Sequence, residues 1–234
     1  SESVHGTFEE QVAALSAVFP FIDSKPALEY YSNIYEQMYR PAWVESVFVI
    51  VKPHVLWQHC FPQVRRREYA RCEAARISLD KLFERLRTSS GAKGTYESHP
   101  KALRFARIRT NEFAREKLAK LYDSQHGDLV VVGGQTGGYH LGESMSEAGS
   151  NMAYLENEVP LPVFEGIQIA LANPNRYTTG SIDTDFPADV YLDRQKGWRL
   201  SPSLGMSGDA LRFRMHERSR IGASCGSGSL YIPL

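Results

Sequence analysis

The hydrophobic pattern of this chain changes its period near residue 125, and that change constrains the fold more than any other feature. Before it, apolar residues return at three- and four-residue steps over long stretches, the spacing of one helix face. After it, short β-branched runs alternate with Gly, Pro, Ser and Asn, the pattern of strands and turns. Helices followed by strands, without regular alternation, predict an α+β fold: a helical N-terminal half packed with a β-rich, Gly/Pro-rich C-terminal half. The division falls between a mainly helical region at 1–125 and a β-rich region at 126–234 with one short helix. Only Asp123-Ser124-Gln125-His126-Gly127 joins them, so both regions are compatible with one integrated domain.

Local signals fill in the elements. Thr7 with Glu10 three residues later is a capping box that opens a helix running to Phe19. Pro26–Tyr39 reads as a second helix, with Tyr31, Tyr35 and Tyr39 four residues apart. Val47–Val51 reads as a buried strand, and His54–Phe61, between two prolines, as irregular. Two long helices, Pro62–Arg87 and Pro100–Tyr122, flank a loop at Ser89–Gly94. In the second half, a strand at Leu129–Val132 leads into a Gly133–Gly138 loop. One helix at Pro162–Ala172 precedes short strands at Val190–Leu192, Trp198–Leu200, Leu211–Met215 and Leu230–Ile232. Gln195-Lys196-Gly197 reads as a hairpin turn.

The hydrophobic share of 42% and charged share of 23% exclude a disordered or fibrous chain. Charge is more informative by region than in total. The 27 Lys+Arg and 27 Asp+Glu cancel, yet residues 1–60 carry a net −4, residues 61–125 a net +8 and residues 126–234 a net −4. A field follows local charge, so the central segment is suited to an anionic partner. Arg66, Arg67, Arg71, Arg104, Arg107 and Arg115 are the candidate phosphate contacts, because guanidinium groups engage phosphate through two parallel hydrogen bonds. The leading expectation is a non-catalytic protein whose basic helices bind nucleic acid or a nucleoprotein complex.

A second reading is a protein-interaction or inhibitor module using Tyr31, Tyr35 and Tyr39 together with the acidic flanks, since aromatic residues are enriched at interfaces. A third is an enzyme with Cys225 and His140 or His216 in the Gly-rich half. The remaining motifs fail on chemistry. Gly133–Gly138 lacks the Lys-Ser/Thr of a phosphate loop. Gly222-Ala223-Ser224-Cys225-Gly226 has no acid or His after it, as a hydrolase elbow requires. His54, His59, Cys60 and Cys72 lack zinc-ligand spacing, and Asp183, Asp185, Asp189 and Asp193 read as solvated turn carboxylates. No metal or cofactor is expected. Three cysteines, no leader-like N-terminus and no bilayer-length apolar run suggest a reducing, cytoplasmic setting without a membrane partner.

Overall fold

The structure, a computed structural model, describes residues 5–64, 67–91, 93–96, 107–155, 157–177, 181–193 and 197–233. In chain order its elements are α1 (Phe8–Val18), α2 (Lys25–Asn33), a 3₁₀ turn (Tyr35–Gln37), β1 (Ser46–Val51), α3 (Pro53–Cys60), α4 (Arg67–Ser90), β2 (Lys93–Tyr96), β3 (Ile108–Thr110) and α5 (Glu112–Ser124). Then follow β4 (Leu129–Leu141), α6 (Met145–Ala153), β5 (Glu158–Pro160), α7 (Val163–Ala172), a 3₁₀ turn (Pro174–Arg176), β6 (Asp183–Asp185), β7 (Asp189–Asp193), β8 (Gly197–Ser207), β9 (Ala210–Glu217) and β10 (Cys225–Tyr231). This is an α+β fold built on one mixed sheet.

Among the described residues ten strands make that sheet. Its main path runs β1-β4-β10-β6-β8-β7-β3, with β5 on β10, β9 along β8 and β2 beside β9. The β10–β6 and β2–β9 pairs are parallel and the others antiparallel. The first half therefore contributes β1, β2 and β3 to a sheet completed by the second. No helix among the described residues is long and apolar enough to cross a membrane.

The core explains the apolar runs. Phe48 to Val51 on β1 and Val130 to Val132 on β4 are fully buried, as expected of strands covered on both faces. α7 packs between α4 and β1, and all ten of its residues are buried, including Glu165 and Gln168. The Gln168 side-chain amide donates to Ser78 Oγ of α4, and Glu165 accepts from Arg71 of α4 and Tyr122 of α5, so protein groups on α4 and α5 bond to the two polar side chains of this inner helix. The capping box at Thr7 forms as the sequence indicates, with the Glu10 amide donating to Thr7 Oγ1 and the Thr7 amide to Glu10 Oε2.

Several sequence expectations are corrected. Pro100–Tyr122 is not one helix: β3 occupies Ile108–Thr110, and α5 starts only after Asn111 caps it through the Ala114 amide (2.8 Å). His54–Phe61 is not irregular but lies mostly in α3, opened by Pro53 in its first turn. The Ser89–Gly94 segment ends α4 and begins β2. Among the described residues the second half holds two α-helices, because Ser144 and Glu147 form a capping box for α6. The Tyr-rich helix stops at Asn33. The Gln195-Lys196 turn lies outside the described residues.

Gly133–Gly138 is not a loop. It lies within β4, where Gly133 and Gly134 pair with both β1 and β10. Gly137 has φ of +120°, and a Cβ on Gly226 of β10 would lie 1.9 Å from the Gly137 carbonyl oxygen. Gly134, Gly137 and Gly226 are thus required by backbone approach at an irregularity in strand pairing. Gly226→Ala is expected to cost about 2 kcal/mol by overpacking, read as a lower urea midpoint with unchanged slope. An unaltered midpoint would show that the two strands have room to separate.

Candidate functional site

α4, β3, α5, the start of α7 and β7 enclose a cleft of about 270 Å³. The register of β3 on β7 pairs Thr110 with Asp189, and Thr110 Oγ1 donates to Asp189 Oδ1 at 2.6 Å. The Val163 amide, at the N-terminus of α7, donates to the other Asp189 oxygen. Asp189 is fully buried. Burial pushes its carboxyl up to about 6, against the opposing effect of those two hydrogen bonds and of Arg71.

Three arginines line the same cleft: Arg71 from α4, Arg109 from β3 and Arg115 from α5. The Asn111 cap turns β3 directly into α5, which brings Arg115, one helical turn after Asn111, to the same cleft as Arg109. Arg71 forms the floor. Its guanidinium donates to Glu165 on α7 and lies 5.2 Å from the Phe164 ring centroid. The Tyr122 hydroxyl donates to the second Glu165 oxygen. Burial opposes the Arg71 charge, but Glu165 leads the groups that raise its pKa overall, so the floor stays cationic and fixed. Cys72 also lines the cleft. Its thiol is pushed up to about 12, first by burial and then by Asp189, which makes it a poor nucleophile.

No protein-family model, curated protein or solved structure matches this chain. The site therefore rests on its own geometry.

The structure spreads the sequence-predicted contacts widely. Arg66 and Arg104 lie outside the described residues. Arg67 opens α4, and Arg107 is half-buried just ahead of β3, where its carbonyl accepts from the Leu192 amide at 2.9 Å. Arg71 and Arg115 reach the cleft, but Arg71 is committed to Glu165 rather than displayed on an exposed stripe. Arg115 is exposed, with Glu112 at 3.7 Å. Much of the remaining α4 charge is matched locally: Arg76 by Glu73 and Asp80, Lys81 by Glu84. Because β3 interrupts the expected helix, Arg107 and Arg115 do not share one helical face.

The tyrosines also separate. Tyr31 stacks on Phe8 with ring centroids 4.1 Å apart. Tyr35 is a core residue at 1% exposure, and Tyr39 is exposed. They do not form one aromatic stripe. The Cys–His grouping does not assemble as a hydrogen-bonded pair either. The His140 ring nitrogens face Glu143 and Glu158 at 3.2 and 2.9 Å, and His216 Nδ1 faces Arg220 at 2.9 Å. Cys225 Sγ faces Asp183 at 3.9 Å, and burial, then Asp185 and Asp183, raise its thiol pKa.

Asp183, Asp185 and Asp189 are buried, which corrects their reading as solvated turn carboxylates. Sequence reasoning also missed Glu165, Tyr122 and Thr110 as parts of one site. The advance signal for Glu165 was its position in a helix that is apolar apart from Gln168.

Proposed function

We propose that this protein binds nucleic acid through its phosphate backbone, with the arginine cleft taking one phosphate. The observation that carries this reading is the convergence of Arg71, Arg109 and Arg115, from three separate elements, on a single cleft. At about 270 Å³ it is smaller than the roughly 300–1,000 Å³ pockets that enclose whole ligands. Its size suits one group of a polymer laid across the surface. In sequence, Arg65 to Arg67 precede Arg71, and Arg104 and Arg107 precede Arg109, so further cations flank both cleft-forming segments in the chain. Phosphate contacts of this kind position a nucleic acid without reading its bases.

The test is fluorescence anisotropy with labelled single-stranded and duplex oligonucleotides across a salt series. Arg109→Ala with Arg115→Ala is expected to weaken binding by about tenfold or more and to flatten the salt dependence by about one to two phosphate contacts. Circular dichroism would check that the double variant stays folded. Binding that keeps both its affinity and its salt slope in that variant would overturn the proposal. A wild-type protein that binds neither oligonucleotide would do the same.

A further inference from the structure

A second polar feature lies across the sheet, separate from the arginine cleft. Strand alternation sends Leu200, Leu204, Phe213 and Met215 into the apolar core and places Ser201, Ser203, Arg214 and His216 on the opposite side of β8 and β9. The pairings His140–Ser227, Ser227–Asp185, Asp185–Ser203 and Ser203–Arg214 align five residues straight across β4, β10, β6, β8 and β9. Directly paired residues project to the same side of a sheet. These five therefore form one row.

The ends of the row are matched. His140 faces Glu143 and Glu158, and Arg214 donates to Asp183 at 3.2 Å. The middle is not. Ser227, Asp185 and Ser203 are 0%, 4% and 1% exposed, and Ser227 Oγ, Asp185 Oδ1 and Ser203 Oγ make no hydrogen bond among the described residues. Buried polar atoms almost always have a partner, so three orphaned oxygens in one row need one. The turn after β9 closes over this side, with Arg218 donating to Ser201 Oγ at 2.8 Å.

Charge and spacing indicate the partner. Asp183 is bonded to Arg214, whereas Asp185 has Arg220 acting on it only through its field. One carboxylate without a bonded cation balances one positive charge. Divalent metals draw on several carboxylate, imidazole or thiolate ligands, and no such group of three or more converges among the described residues. Adjacent strands are about 4.8 Å apart. A tetrahedral centre making hydrogen bonds of about 2.9 Å holds two acceptors about 4.7 Å apart. Side chains paired across neighbouring strands start from that spacing, so an ammonium nitrogen or an alkali ion of similar size is the kind of partner that an Asp185 oxygen and a neighbouring serine hydroxyl could share.

We propose that Ser227, Asp185 and Ser203 form a binding site for one monovalent cation, either an alkali ion or the ammonium group of a small ligand. Burial and Asp183 push the Asp185 carboxyl up to about 7, so a proton competes with that cation near neutral pH.

The test is thermal unfolding of the full chain at about pH 8, where Asp185 is ionised, in chlorides of potassium, sodium, methylammonium or tetramethylammonium at about 0.15 M ionic strength. At least one of the small cations is expected to raise the midpoint by roughly 3–5 °C over tetramethylammonium. That difference disappears in Asp185→Asn and, independently, in Ser203→Ala with Ser227→Ala. A gain from potassium or sodium assigns an alkali ion, and a gain from methylammonium alone assigns an amine ligand. Equal midpoints in all four salts for the wild type would overturn the proposal. So would a cation gain that persists in whichever of the variants folds.

Discussion

Replacing Glu165 by Ala is expected to destabilise the protein by about 3–5 kcal/mol, seen as a thermal midpoint lower by roughly 6–20 °C for a chain of this size. Glu165 is fully buried, and its two oxygens accept from Arg71 and the Tyr122 hydroxyl. Its removal leaves a guanidinium and a phenol without their shared acceptor. The Arg71 charge cannot readily be relieved by deprotonation, because arginine remains protonated throughout the accessible pH range. Removing both charges is different. Arg71→Met with Glu165→Leu fills similar volume with apolar atoms, which often restores the lost stability when an ion pair is buried. The double variant should therefore recover most of the loss in urea titrations. It should also lose the cationic cleft floor and bind oligonucleotides more weakly. A Glu165→Ala loss below about 1 kcal/mol would put this pair in the class of exposed salt bridges and remove the account of a fixed cleft floor.

The fold was legible where local chemistry decides. The Thr7 capping box, the apolar run of β1 and the Pro162–Asn173 limits of α7 all correspond to observed elements. It was obscured where a distant neighbour decides. Gly133–Gly138 has the composition of a loop, but Gly134 and Gly137 admit the β10 backbone, which lies about ninety residues later in the chain. The Arg104–Arg115 spacing suggests a helical stripe, but β3 pairs with β7 within it. The arginine richness of the site was visible. Its geometry was not, because Glu165, which fixes Arg71, and Asp189, which fixes Thr110, both lie in the other half of the sequence. Asp183 and Asp185 were misplaced for the same reason: two carboxylates near a proline resemble a turn until β8 and β10 are laid beside them.

Asp185 should make the protein less stable as pH rises from about 4 to about 7. The carboxyl is pushed up from 3.8 to about 7, by burial first and by Asp183 second, with Arg220 opposing both. Between those values the folded protein retains a proton that the unfolded chain has released. Each rise in pH therefore favours unfolding, and the full loss is reached above about pH 7. The gap corresponds to about 4 kcal/mol. Asp189, pushed up to about 6 by burial, acts in the same direction with its loss complete at lower pH. Glu45 acts oppositely: despite burial, hydrogen bonds from His5 and the Thr136 amide hold it down to about 2, so its contribution is lost as pH falls below about 4. Stability should consequently peak in mildly acidic solution. Asp185→Asn supplies a neutral side chain at every pH, and in tetramethylammonium chloride it should be more stable than the wild type at pH 8 by about 2–4 kcal/mol, yet nearly equal at pH 4. Urea titrations across that range measure the difference directly. Parallel stability curves for the two proteins would mean that Asp185 ionises in the fold without penalty, and that water rather than a specific cation satisfies the row.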